Sequence, residues 1–156
     1  MNYINKGKRD ILIFPKFKNI DKIQEIRKEY DELAEILPAH ITLAFPFESE
    51  ISNLELKRKL EEILINVKPF KINTYYIFLN IIEGKDEIIK IHNEIYKNIL
   101  LKKIKYAPHI TLGNTNNINE NINLKEDFET IIDSIAVESI GDNEESNIEF
   151  EIELNL

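Results

Sequence analysis

The sequence predicts an α+β protein with two lobes related by pseudo-two-fold symmetry, forming a single domain over residues 1–156. Three observations support this prediction: a repeated tetrapeptide, helix and strand patterns that alternate along the chain, and the lack of a low-complexity linker between the halves. His-Ile-Thr-Leu occurs at residues 40–43 and again at residues 109–112. Two copies are too few for a solenoid and suit a duplicated, two-lobed fold.

The first half is predicted to contain strand, helix, strand and helix. Arg9–Phe14 is typical of a buried strand that stops at Pro15, and residues 40–43 form the second strand. Apolar residues at spacings of three and four predict a helix that begins with an Asp21/Gln24 capping box and ends at Pro38, namely Ile20, Ile23, Ile26, Tyr30, Leu33 and Ile36. A second capping box, Ser52/Glu55, opens a helix with the apolar stripe Leu56, Leu60, Ile63, Leu64 and Val67.

The second half is predicted to begin with two antiparallel strands, residues 69–72 and 75–82, joined by Asn73-Thr74. A third helix starts at Asp86 and turns its isoleucines toward the core, namely Ile88, Ile91, Ile95 and Ile99. The second tetrapeptide follows as a strand, and the Asn-rich residues 114–123 form a loop. The chain is expected to close with a hairpin of residues 131–140 and 148–154 around Gly141-Asp142-Asn143.

The repeated tetrapeptide carries the functional information. It includes two of the three histidines, a coincidence with a probability on the order of one in a million in an Ile-rich chain. On a strand, alternate side chains point to opposite faces, so His and Thr share one face while Ile and Leu share the other. Two such strands bring two imidazoles and two hydroxyls together. The third histidine, His92, is expected at the surface or only partly packed on its helix.

Two imidazoles in one cleft suit acid-base catalysis, because histidine titrates near neutral pH and one ring can accept a proton while the other donates one. Threonine hydroxyls can donate hydrogen bonds to oxygens that gain negative charge. In-line displacement at phosphorus needs these groups and, with a protonatable leaving oxygen, no metal. A metal site is the alternative, but neither motif has an Asp, Glu or Cys on the same strand face.

Composition narrows the possible partners. A formal net charge of −8 argues against binding long nucleic acid, although it leaves room for a small phosphate ester. The basic groups near residues 6–9, 16–18 and 102–105 are read as solvated surface charges. The chain has no cysteine, which excludes disulfides and Cys-ligated metal sites. It shows no signal peptide and no membrane-length apolar run, so we expect a cytoplasmic protein without a membrane partner.

The paired His-x-Thr segments, the prolines Pro38 and Pro108 that precede them, and the Ile-Phe-Pro strand near residue 14 resemble the 2H phosphoesterase superfamily. This superfamily includes 2′-5′ RNA ligase-like proteins and cyclic phosphodiesterases. The stretch from Ile11 to Phe47 looks most like its small bacterial branch. The resemblance implies two antiparallel sheets facing a central cleft, with helices outside, the terminal segments in one lobe and the middle of the chain in the other.

The resemblance also assigns roles to residues. It implies that His40 and His109 are the catalytic acid and base, in an order that the sequence leaves open, and that Thr42 and Thr111 bind the phosphoryl group. It implies no cofactor and no metal. The expected substrates are 2′,3′-cyclic phosphates or related phosphodiesters of nucleotides and RNA ends. The alternatives are a non-catalytic module that binds nucleotides or RNA ends, 2′-5′ joining of RNA ends, and a purely structural repeat. Aromatic residues that could stack on a base are Phe45, Phe47, Tyr75, Tyr76 and Tyr106.

Overall fold

The computed structural model describes residues 7–75, 80–113 and 126–155. Within them, seven strands form two antiparallel sheets, which confirms the predicted α+β class. The four-stranded sheet has the order β2-β1-β6-β7, and the three-stranded sheet has the order β4-β3-β5. The strands are β1 Lys8–Ile13, β2 Ile41–Glu48, β3 Phe70–Tyr75, β4 Asn80–Glu83, β5 Phe128–Ile132, β6 Ser134–Ile140 and β7 Ser146–Glu153.

The four-stranded sheet joins the two ends of the chain. Its central strand β1 pairs with β2 on one side and with β6 on the other, and the predicted terminal hairpin is β6–β7. Every residue of β1 after Lys8 is buried, including Arg9. The prediction that Arg9 is a solvated surface charge was therefore wrong. Its guanidinium contacts the Glu149 carboxylate and donates to the Ile51 carbonyl and the Asn53 side chain.

The middle of the chain contributes most of the three-stranded sheet, as the family resemblance implied. Strand β3 pairs antiparallel with β4 and with β5. Two predicted boundaries were wrong. Asn73 and Thr74 lie within β3 rather than in a turn, and residues 131–140 divide at Asp133 into strands of different sheets. The predicted loop at residues 114–123 falls outside the described residues.

The described helices are α1 Ile20–Tyr30, α2 Asn53–Leu64 and α3 Lys85–Ile95, and α3 continues into a π-helical turn at Tyr96–Leu100. Ser52 caps α2 by accepting a hydrogen bond from the Glu55 amide, as predicted. The N-cap of α1 is Asn19, with no side-chain cap, so the predicted Asp21/Gln24 capping box does not form. None of the helices among the described residues has the length and apolarity to cross a membrane.

Helix α1 ends eight residues before Pro38, so the prediction that it reaches this proline was wrong. Asp31 leaves the helical conformation with φ −121° and ψ 110°. Its carboxylate pairs with Arg27 one turn earlier and accepts a hydrogen bond from the Leu33 amide, which favours a turn over another helical residue. Leu33 and Ile36 are consequently exposed at 36% and 44% instead of lying on a buried helix face.

One apolar cluster connects the two sheets. It contains Ile11 and Val137 of the four-stranded sheet, Ile72 and Phe128 of the three-stranded sheet, and Leu112 of the second motif. The buried stripes of α2 and α3 belong to the same cluster: Leu56, Leu60, Leu64, Ile88, Ile91 and Ile95. The two tetrapeptides are thus attached to a shared core, which fixes their relative position.

Candidate active site

The two tetrapeptides meet through an antiparallel bridge between Ile41 and Ile110. In this register His40 lies opposite Thr111, and Thr42 lies opposite His109. Side chains directly opposite each other in an antiparallel pair have Cβ atoms roughly 4.5–5.5 Å apart. The bridge therefore creates two cross-strand His–Thr pairs related by a local two-fold axis.

Burial alternates along both motifs as predicted. Ile41, Leu43, Ile110 and Leu112 are each no more than 1% exposed. The His and Thr of the first motif are partly exposed, and those of the second motif are exposed. Residues 41–43 of the first motif begin β2, whereas in the second motif only His109 and Ile110 are in β-bridges, as far as the described residues show. The prediction of a second full motif strand was therefore wrong, although its facing pattern was right.

Both imidazoles are held by the same local hydrogen bond. The Nδ1 of His40 lies 2.8 Å from the Pro38 carbonyl oxygen, and the Nδ1 of His109 lies 3.0 Å from the Ala107 carbonyl oxygen. A carbonyl oxygen can only accept, so each Nδ1 carries the proton and donates it. In a neutral ring this tautomer leaves the Nε2 lone pair free. Each motif thus presents one imidazole nitrogen that is available for proton transfer.

The surroundings of His40 shift its protonation equilibrium. Burial lowers the pKa of His40, because it disfavours the charged imidazolium. The positive charges of Arg27 and His109 lower it further, while the Pro38 carbonyl and the Asp31 carboxylate raise it. The net effect holds His40 in its neutral form at neutral pH. His40 also contacts Phe14 edge-on, with ring centroids 6.4 Å apart.

A buried aromatic group fixes the backbone of the first motif. The Tyr106 hydroxyl donates to the Thr42 carbonyl over 2.7 Å, and His92 Nδ1 donates to the Leu43 carbonyl over 2.7 Å. The rings of His92 and Tyr106 are stacked with centroids 3.7 Å apart and an interplanar angle of 4°. His92 is 1% exposed, so the prediction that it lies at the surface or is partly packed does not hold. The sequence contains no periodic signal for this contact.

Two cavities flank the motifs. One has a volume of about 270 Å³ and is lined by Asp10, Leu33, Leu37, His40, Thr42, Pro46, Glu138, Ile140 and Glu144. The other, of about 480 Å³, is lined by Lys28, Glu29, Tyr30, Asp31, Glu32, Leu33, Thr111 and Gly113. Leu33 borders both. His40 and Thr42 thus line the smaller cavity and Thr111 lines the larger one, whereas His109 lines neither of these two cavities.

Several predicted stacking residues are engaged within the protein. Tyr106 packs on His92, Phe47 is buried, and Phe45 remains 42% exposed beside Tyr106. The side chains of Tyr75 and Tyr76 are not among those that the structure describes. Among the described residues, no three His, Asp or Glu side chains are grouped so that they could hold a metal ion.

Comparison with known proteins places these features in a family. The family model described as the 2′-5′ RNA ligase superfamily matches residues 15–144. Curated relatives named "Putative phosphoesterase" in Geobacillus kaustophilus and Bacillus licheniformis are 32% and 34% identical over 118 residues, which cover 68% of this chain and 68% and 70% of theirs. These relatives support phosphoesterase-type chemistry in general.

The solved structures agree on the fold. Escherichia coli LigT complexed with ATP superimposes with a TM-score of 0.60 at 12% identity, covering 97% of this chain and 100% of LigT. The same protein complexed with 3′-AMP gives a TM-score of 0.55 at 12% identity, covering 97% and 100%. The matched range of the family model includes both tetrapeptides, and this chain belongs to the 2′-5′ RNA ligase superfamily, the 2H phosphoesterases.

Proposed function

We propose that this protein is a metal-independent phosphodiesterase that opens 2′,3′-cyclic phosphates of nucleotides or RNA ends. The single observation that carries the proposal is the pair of cross-strand His–Thr units. In each, the imidazole Nδ1 is bonded to a carbonyl and the Nε2 makes no hydrogen bond with the described residues. A base, an acid and two hydroxyl donors are the groups that in-line attack at phosphorus requires.

The low pKa of His40 supports its role as the general base. His40 Nε2 accepts a proton from water as the water oxygen bonds to phosphorus. His109, protonated at Nε2, gives its proton to the ribose oxygen as the bond between that oxygen and phosphorus breaks. The Thr42 and Thr111 hydroxyls donate to the non-bridging oxygens as their charge increases. The single product is a nucleoside 2′- or 3′-monophosphate, whose other ribose oxygen is released as a hydroxyl.

The family relationship favours a nucleotide substrate. The E. coli relative has been solved with 3′-AMP, a nucleoside monophosphate of the type that cyclic-phosphate opening releases. The net charge of −8 favours a small or terminal phosphodiester over long RNA, since neither cavity provides a broad basic surface. We also propose that the protein acts in the reducing environment of the cytoplasm and has no membrane partner.

The test is hydrolysis of the four nucleoside 2′,3′-cyclic phosphates by chelator-treated protein, with product analysis by chromatography. We expect a 2′- or 3′-monophosphate from wild type and none from the double variant His40→Asn/His109→Asn. Asparagine is the matched substitution because its amide can still donate to the Pro38 or Ala107 carbonyl but has no equivalent of Nε2. Tight binding without turnover would instead identify a binding module, and activity that chelation abolishes would contradict metal independence.

A further inference from the structure

Two acidic side chains that the proposed mechanism does not use lie on the floor of the 270 Å³ cavity. Asp10 of β1 and Glu138 of β6 are register partners, and they are 6% and 2% exposed. Like charges directly opposite each other in a sheet are destabilising. Burial and the facing Glu138 raise the pKa of Asp10 to about 8, and burial also raises the pKa of Glu138.

Part of this pair has no hydrogen-bond partner among the described residues. Ser146 donates a hydrogen bond to the Glu138 carboxylate, yet Glu138 Oε2 and Asp10 Oδ1 are buried and make no hydrogen bond with the described residues. An unmet buried acceptor costs roughly 1–3 kcal/mol relative to a satisfied one. Because Asp10 and Glu138 line the same cavity, their unmet oxygens suit a ligand that brings hydrogen-bond donors.

The rest of the cavity restricts the chemistry of that ligand. Its walls are apolar, formed by Leu33, Leu37, Pro46 and Ile140, and Glu144 adds a third carboxylate. No Lys or Arg occurs among the described residues that line it. A phosphate is therefore disfavoured at the carboxyl end, whereas an uncharged, flat group with N–H donors is favoured. The volume suits a nucleobase better than a whole nucleotide.

The cavity also connects this floor to the proposed reaction centre, because His40 and Thr42 line its other end. Thr42 is paired with Leu12, two residues along β1 from Asp10. Asp10 is separated from Thr42 by the distance between neighbouring strands and by two residues along the strand, which together correspond to roughly 8 Å. Glu138 lies one strand farther from Thr42. That separation matches a base attached through ribose to a phosphoryl group.

We propose that Asp10 and Glu138 bind the Watson–Crick edge of a guanine whose phosphodiester lies between the two motifs, an inference that rests on the proposed function. When the pair holds its one proton on another carboxyl oxygen, Asp10 Oδ1 and Glu138 Oε2 are both acceptors. Guanine presents two adjacent donors there, N1–H and the 2-amino group. Adenine and cytosine each place a ring-nitrogen acceptor beside their amino group, and uracil flanks its single N–H with carbonyl oxygens.

The experiment compares guanosine and inosine 2′,3′-cyclic phosphates, which differ only in the 2-amino group. We expect wild type to favour guanosine by roughly tenfold in kcat/KM. Asp10→Asn and Glu138→Gln should bring this ratio toward one. Glu62→Gln is the matched control, since Glu62 lies exposed on α2, outside the cavity lining, and its substitution should leave the ratio as in wild type.

Both variants are expected to fold, because each keeps the shape of the side chain and removes repulsion within the pair. A wild-type ratio near one, or an unchanged ratio in both cavity variants, would overturn the guanine site. If wild type hydrolyses neither ester, the proposed function fails and the site is judged by calorimetry with guanosine and inosine 3′-monophosphates. The same tenfold preference would support it, and equal dissociation constants would overturn it. If wild type binds the two monophosphates equally and binds Mg²⁺, and both cavity variants lose the Mg²⁺ binding, the carboxyls hold a cation instead of a base.

Discussion

The two tetrapeptides have identical sequences but different structural surroundings. The first lies on β2, where β1 pairs with it and Tyr106 and His92 hold its carbonyls. The second touches the first through one bridge, and Gly113 follows it. A Cβ at Gly113 would lie 2.5 Å from the Tyr30 carbonyl oxygen, so close packing against the end of α1 fixes this motif. The two motifs are therefore identical in sequence but are held in place by different contacts, and burial lowers the pKa of His40 in the first motif.

Removal of either reactive nitrogen should have the largest effect. We expect His40→Asn and His109→Asn each to lower kcat by roughly 10²–10⁴-fold, the usual contribution of a positioned acid or base. Stopped assays with a 2′,3′-cyclic nucleotide measure this loss, and circular dichroism checks that each variant folds. A loss confined to one variant would mean that the two motifs do not act as a pair.

The hydroxyls should contribute less than the imidazoles. Thr42→Val and Thr111→Val keep the side-chain shape but remove the donor, and each is expected to reduce kcat on the order of a hundredfold. Because the hydroxyl bonds strengthen in the transition state, KM should change little. A rise in KM alone would show that the threonines bind only the ground state.

The buried contacts that hold the backbone of the first motif can be removed by substitution of His92. His92→Leu removes the donor to the buried Leu43 carbonyl and the stack on Tyr106, and we expect it to cost about 1–3 kcal/mol in the free energy of unfolding. Urea denaturation measures the change. Tyr106→Phe is the milder comparison, since it keeps the stacked ring and loses only the bond to Thr42. Equal stability of wild type and His92→Leu would contradict the anchoring role.

The position of the second motif depends on the close approach of Gly113 to the backbone of Tyr30. Gly113→Ala forces Tyr30 and the motif apart. Because Thr111 lies two residues away, we expect the loss of transition-state stabilisation, measured through kcat, to exceed the loss in the free energy of unfolding. An approximately tenfold loss would correspond to about 1.4 kcal/mol of transition-state stabilisation. Wild-type kcat in this variant would show that the second motif tolerates displacement.

The carboxyl pair on the four-stranded sheet should make stability depend on pH. The pKa of Asp10 is raised from 3.8 to about 8, so the folded state holds this proton more tightly than the unfolded chain. The contribution to stability is therefore complete below pH 4 and is lost as the pH rises toward 8. We expect Asp10→Asn to raise the melting temperature by several degrees at pH 8 and to have less effect at pH 5, as measured by thermal denaturation. A larger stabilisation at pH 5 would contradict this assignment.

Regular, local patterns made much of the fold predictable. The Ser52 cap, the isoleucine stripe of α3 and the β6–β7 hairpin follow from spacing alone. The repeat also predicted that the four motif residues come together, which they do, while their catalytic and phosphate-binding roles stay predictions. Sequence reasoning missed that Asp31 ends α1, which depends on its local ion pair with Arg27. The other features that it missed depend on long-range contacts: His92 stacks on Tyr106, and Asp10 faces Glu138 across β1 and β6. Such pairings have no sequence period and appear only when the sheet register is known.

The pH dependence of kcat/KM for wild type, His40→Asn and His109→Asn tests the acid-base pairing most directly. For wild type we expect a bell-shaped profile with its acid limb below pH 6.5, because the pKa of His40 is lowered and protonation removes the base. His40→Asn should lose the acid limb, and His109→Asn should lose the alkaline limb. If both single variants keep the wild-type limbs, the two histidines are not the acid and base.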